Sequence, residues 1–217
     1  MKISKITKAL PLAVLALAFC APAVMADDQT TSASTVFQLE LPKYLRITSE
    51  KANITKTVTY ENDYTGAGLE AMTAKFTVIT NDPAQKVYLQ ATCKASGGTA
   101  NALFSPSEDP AALFVALSNE GAAPEAATVA KATSATKSDT PNVILLGITP
   151  TYTHDNFGNA GVTPSWDSTK GQAAYVIKNG TATLSYLTGI KVEPNSFSTH
   201  DTYGTYKATL TMTQTSL

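Results

Sequence analysis

With 217 residues, 43% of them apolar and only 15% charged, the chain is long enough to bury a core. Its 16 basic and 17 acidic side chains leave no basic excess of the kind that nucleic acid or an anionic membrane surface requires. Two cysteines are too few for a disulfide-dense scaffold.

The first 26 residues read as a secretory signal peptide. Lys2, Lys5 and Lys8 form a charged start, Ala9 to Cys20 is apolar, and Val24 and Ala26 are small residues placed for a cut before Asp27. The apolar run is short for a membrane span and is flanked or broken by Pro11 and Pro22. A lipid anchor on Cys20 fits poorly, because Phe19 stands where a small residue is preferred. Cleavage would leave 191 residues, 13 basic and 17 acidic, with a net charge near −4 and Cys93 as the only cysteine. An exported chain without a disulfide must stabilise itself through its core or through assembly. Cys93 shares the phase of Val87, Leu89 and Ala91, which predicts a buried, unreactive thiol.

Asp27 to Ser34 is polar and aperiodic. From Thr35 to Thr48 the chain alternates, with Phe37, Leu39, Leu41, Leu45 and Ile47 apolar, until Pro42 splits the run. This predicts a detachable strand that can pair with its own domain or with the sheet edge of another chain. Thr55 to Tyr60 is a further strand candidate, and Glu61 to Leu69 a turn region. Met72 to Ile79 and Val87 to Cys93 alternate on either side of Asn81-Asp82-Pro83, which predicts a hairpin with a longer loop.

Ala111 to Leu117 suits strand or helix. Gly121 to Thr140 is rich in Ala, Thr, Ser and Lys, with Val129 its one large apolar residue, and predicts a long exposed loop or edge elaboration. Val143 to Ile148 is a continuous apolar run, as in a strand buried on both faces. Ala173 to Ile177, Ala182 to Leu187 and Gly189 to Val192 are short strands, the first two separated by Asn179-Gly180, a two-residue hairpin signal. Thr205 to Thr213 closes the chain, with Tyr206, Ala208, Leu210 and Met212 on one face. Eight to ten short strands with little helical periodicity predict an all-β, immunoglobulin-like antiparallel β-sandwich.

Chemistry is hard to place on these residues. His154 and His200 each precede an Asp but lack a ligand spacing, and no calcium loop, phosphate-cradling glycine loop or nucleophile elbow occurs. No catalytic, cofactor or metal residue is assigned, and an enzyme is not expected. Tyr152, Trp166, Tyr175, Tyr186, Tyr203 and Tyr206 could line a carbohydrate surface, although such residues are also ordinary in strands.

The segment AMTAKFTVITNDPAQKVYLQATC, the alternating stretch broken by Pro42, and the closing GTYKATLTMT together resemble the colonisation-factor-type (alpha) chaperone–usher pilins over about a quarter of the chain after Asp27. The resemblance implies a sandwich that lacks one strand and is completed by the N-terminal extension of the next subunit. It also implies a periplasmic chaperone, an outer-membrane usher and a bacterial surface fibre as the destination. Residues 27–41 would be the donor extension and 42–217 the pilin-like domain. Thr35 to Leu41 would be the donated strand, with Phe37, Leu39 and Leu41 entering the groove of a neighbouring identical subunit. Two other readings stay open: a secreted fibre sandwich that assembles without a chaperone, and a monomeric binding module whose N-terminal strand folds back into its own sheet.

Overall fold

The computed structural model describes residues 35–51, 53–54, 71–192 and 200–216. The signal peptide, Asp27 to Ser34, the Thr55 to Tyr60 candidate and the Glu61 to Leu69 turn lie outside the described residues. The chain divides between Glu40 and Leu41 into two units. Of the first, Thr35 to Glu40 is described: it forms no strand pairing, and the Gln38 amide donates to the Glu40 carboxylate at 3.3 Å.

The second unit is an immunoglobulin-like sandwich of two antiparallel sheets. Its elements are β1 (Leu45–Ser49), β2 (Thr73–Thr80), β3 (Gln85–Ala95), β4 (Gly98–Asn101), β5 (Leu103–Phe104), β6 (Leu113–Asn119), α1 (Ala126–Ala130), β7 (Val143–His154), β8 (Val162–Asp167), β9 (Gln172–Ile177), β10 (Gly180–Val192), β11 (Tyr206–Lys207) and β12 (Thr209–Thr213). One seven-stranded sheet runs β1-β2-β10-β7-β6-β11 with β5 also on β6. The five-stranded sheet runs β12-β3-β9-β8 with β4 also on β3. The alternation read from sequence sets which face is inward. Phe76 and Val78 of β2 and Val87, Leu89, Ala91 and Cys93 of β3 are all buried between the sheets. Burial pushes the Cys93 thiol up from its ordinary range, so the residue behaves as a small apolar side chain.

Two expected hairpins are instead crossings between sheets. The β2 strand is flanked by β1 and β10, while β3 is flanked by β9 and β12, so Asn81 to Ala84 carries the chain from one sheet to the other. Asn179-Gly180 likewise links β9 to β10 across the sandwich. A strand already paired on both sides has no edge left for its sequence neighbour, and local turn chemistry does not register that. The closing strand also switches sheets: β11 pairs with β6 and β12 with β3, although the inward phase from Tyr206 to Met212 is as expected.

His154 holds the end where β7, β9 and β10 meet. Its Nε2 donates to the Lys178 carbonyl at 3.1 Å, and its Nδ1 accepts from the Asn156 amide at 3.2 Å. A Cβ at Gly161 would lie 2.4 Å from the His154 ring, so glycine is what lets the backbone close over it.

The segment from Gly121 to Thr140 departs from the exposed loop expected of it. It contains α1 and a 3-10 turn, Lys137–Asp139, and it buries Val129, Lys137 and Thr140. Lys137 Nζ donates to the Val143 and Thr140 carbonyls and pairs with Asp201 Oδ1 at 2.7 Å, with side-chain exposures of 6% and 8%. Asp201 Oδ1 also accepts from the Asn142 amide at 2.9 Å. Asn119 extends this polar knot: its Nδ2 donates to the Thr202 carbonyl at 2.9 Å, and its Oδ1 accepts from the Gly121 amide at 2.8 Å. The alanines and threonines of this segment carried no hint that one lysine among them is its anchor.

The six aromatic residues considered for a carbohydrate surface are spread between core and surface, with Tyr206 partly buried. Tyr175 and Tyr186 lie in the core, Tyr152 and Trp166 pack partly against it, and Tyr203 stands alone at 96% exposure. Rings of Tyr152 and Tyr175 are 5.4 Å apart, and those of Tyr175 and Tyr186 are 6.3 Å apart. Their buried hydroxyls lack a hydrogen bond of ordinary geometry, and burial pushes all three phenols up, Tyr175 and Tyr186 strongly. A phenol whose folded pKa exceeds its unfolded value of about 10 contributes stability that is present below pH 10 and lost as pH climbs through the folded value. Alkaline titration followed at 295 nm should therefore leave at least these three of the nine tyrosines un-ionised until a cooperative unfolding step. Smooth ionisation of all nine near pH 10 with the fold intact would contradict the packing.

Candidate assembly interface

Two surfaces in the described residues have the chemistry of strand addition. The first is the alternating stretch itself. Phe37 is 93% exposed, Leu39 85% and Leu41 78%, and Val36 in the other phase 86%, on backbone that pairs with no strand. Three large apolar side chains at period 2 on an open strand are costly to leave in water, and each would gain roughly 1.5–3 kcal/mol on burial. The expected donor residues are thus accessible, and the other half of the Thr35 to Thr48 run is β1, paired with β2 from Leu45↔Thr80 to Ser49↔Phe76.

The second surface is a sheet edge. Among the described residues, β1, β8 and β12 are the edge strands of five residues or more, and the shorter β4, β5 and β11 also pair with one strand only. Edge strands are normally blunted by charge or proline. The β8 edge carries Pro164 and Asp167, and β1 carries Arg46 and follows Pro42 and Lys43. The β12 edge, TLTMT, has neither charge nor proline. Its inward side chains are incompletely covered: Met212 is buried, but Leu210 and the preceding Ala208 are only partly so. The tail beyond it does not supply the cover. The Gln90 amide donates to the Thr215 carbonyl at 3.5 Å and Lys170 Nζ donates to Ser216 Oγ at 2.6 Å, which ties residues 215 and 216 to β3 and to the turn between β8 and β9. Among the described residues no strand pairs with β12 on the side away from β3.

Next to β1 the sequence of the crossing turn acquires a role that turn propensity alone did not suggest. Asn81 Oδ1 accepts from the Tyr44 amide at 2.7 Å, and its Nδ2 donates to the Pro42 carbonyl at 2.7 Å. Asp82 pairs with Lys43 at 2.8 Å, and that bond, helped by the Ala84 amide, lowers the Asp82 carboxyl from its ordinary range. Asn-Asp-Pro was legible as a turn, but its grip on residues 42–44 depends on a pairing across 37 positions.

The described residues hold no group of three or more His, Cys, Asp or Glu able to bind a metal, and none of their helices is long and apolar enough to cross a membrane. No family model matches the chain, nor does any curated protein or solved structure.

Proposed function

We propose that the protein is a structural, non-catalytic subunit of a bacterial surface fibre, serving adhesion. It polymerises when Thr35 to Leu41 of one copy adds as a strand to the sandwich of another. The observation that carries this reading is the exposure of Phe37, Leu39 and Leu41, two residues apart, on backbone that pairs with no strand. The edge that suits it is β12, whose threonine-rich strand lacks the usual guards against pairing. The resemblance to chaperone–usher pilins adds the route: export, a periplasmic chaperone that covers the open edge, and an outer-membrane usher.

The test removes the donor and supplies it in trans. A chain lacking residues 1–41 cannot donate, but it should bind a synthetic peptide spanning 30–42. Binding should saturate at one peptide per chain and protect the β12 amides from hydrogen exchange. If the peptide does not bind, and the chain beginning at Asp27 elutes as a sharp monomer, the monomeric binding module is the better reading.

A further inference from the structure

The contacts of Asn81 and Asp82 have a consequence for how copies would be joined. Pro42, Lys43 and Tyr44 are each held by the turn: Pro42 through its carbonyl, Tyr44 through its amide, and Lys43 through its ammonium. The Asn81 backbone N–H also donates to the Tyr44 carbonyl at 3.3 Å, which extends the β1–β2 ladder one step past Leu45↔Thr80, and the side-chain carboxamide then takes the Tyr44 N–H and the Pro42 carbonyl. The side chain of Asn81 thereby stands in for a further residue of paired backbone. Leu41, the last of the three exposed apolar residues, is the immediate neighbour of clamped Pro42. Consecutive Cα atoms are only about 3.8 Å apart. No free residue separates the part of the chain that a partner would bury from the part that its own domain holds.

We propose that Asn81 is the positioning residue of the junction between successive copies. By clamping Pro42 and Tyr44 it removes the slack between a sandwich and the strand it donates, so that the Asn81 to Ala84 turn abuts the accepting copy and the angle between copies is fixed. This rests on the assembly reading above, and the partner is a second copy of this chain. Loss of the carboxamide would leave Pro42 without its bond and residues 43 and 44 held only by the Lys43–Asp82 pair and the backbone bond from Asn81 to Tyr44, which loosens the joint.

The test has two arms, both on the full chain from Asp27. In the Leu39→Glu background, which keeps the chain monomeric, hydrogen exchange at the Tyr44 amide reads the clamp itself. It should be protected with Asn81 present and should exchange at the rate of free chain in Asn81→Ala. Asn81→Asp retains the acceptor for Tyr44 but not the donor for Pro42, and should give intermediate protection. The second arm measures the persistence length of negatively stained fibres, which should fall in Asn81→Ala while fibres still form. A loss of global stability would instead show as faster exchange throughout β2 and β10. Unchanged Tyr44 protection, or fibres of unchanged stiffness, overturns the proposal. Failure of the unsubstituted protein to form fibres at all overturns the assembly reading and the junction with it, while the Tyr44 readout still decides whether the clamp exists.

Discussion

Leu39→Glu should abolish polymer formation while leaving the sandwich intact. Leu39 is the middle of the three side chains that would enter a neighbour, and it makes no demand on its own domain, being 85% exposed. Burial of three such residues supplies on the order of 5–9 kcal/mol, and each strand hydrogen bond adds about 0.5–1.5 kcal/mol net. Association costs a comparable amount in lost freedom and ordering. One carboxylate pressed against apolar walls removes the gain from Leu39 and adds a desolvation penalty of several kcal/mol, which tips the balance. Size-exclusion chromatography should show a monomer, and thermal unfolding should match that of unassembled unsubstituted protein. Normal polymers from Leu39→Glu would rule out donation through this face. The same charge at Gln38, on the opposite face beside Glu40, which already carries one, should have little effect, which separates a facing requirement from a general intolerance of charge.

The elements that sequence reading located best are those fixed by local periodicity. Thr73 to Ile79 and Val87 to Cys93 each lie in a strand with the apolar phase inward, because alternation reports directly on which side meets the core, while Val143 to Ile148, expected to be buried on both faces, lies in β7 with Leu145 and Gly147 only partly buried. What periodicity does not carry is which strand lies beside which. Asn81-Asp82-Pro83 and Asn179-Gly180 are good turn sequences, and a turn can close a hairpin or cross a sandwich. The difference is decided by remote partners: β1 and β10 already occupy both flanks of β2. The tyrosines stayed ambiguous for a similar reason, since Tyr175 and Tyr186 have the same local signature whether they face a ligand or the core. Of the candidate interface, the donor residues were legible because they alternate within a few positions. The clamp at Asn81 and the unguarded β12 edge were not, since the first depends on contacts 37 to 39 residues apart and the second on what fails to pair with a strand.

Lys137 and Asp201 carry the other large expectation. They are 64 residues apart, and their ion pair ties the Gly121 to Thr140 segment to the stretch that leads into β11 and β12. Burial lowers the Lys137 pKa from its ordinary value, against the opposing pull of Asp201, so the pair sits where charge is costly and each partner depends on the other. Lys137→Met alone leaves a carboxylate at 8% exposure facing an apolar stem, a loss of about 3–5 kcal/mol in a domain whose total stability is on the order of 5–15. For a domain of this size that corresponds to a fall in Tm of roughly 6–20 °C. Adding Asp201→Asn removes the orphaned charge, keeps an oxygen to accept from the Asn142 amide, and should recover a large part of the loss. If the double variant is as unstable as Lys137→Met, packing rather than charge pairing holds the segment. The consequence for assembly follows from position in the chain. Asn119 and Asn142, which contact the same knot, also fix Thr202 just upstream of β11, so loosening it should let the C-terminal strands open before the rest of the sandwich. Hydrogen exchange in Lys137→Met should therefore rise first in β11 and β12, and the chain lacking residues 1–41 should lose affinity for the 30–42 peptide in proportion. Uniform exchange across both sheets, with peptide affinity unchanged, would separate the ion pair from the accepting edge.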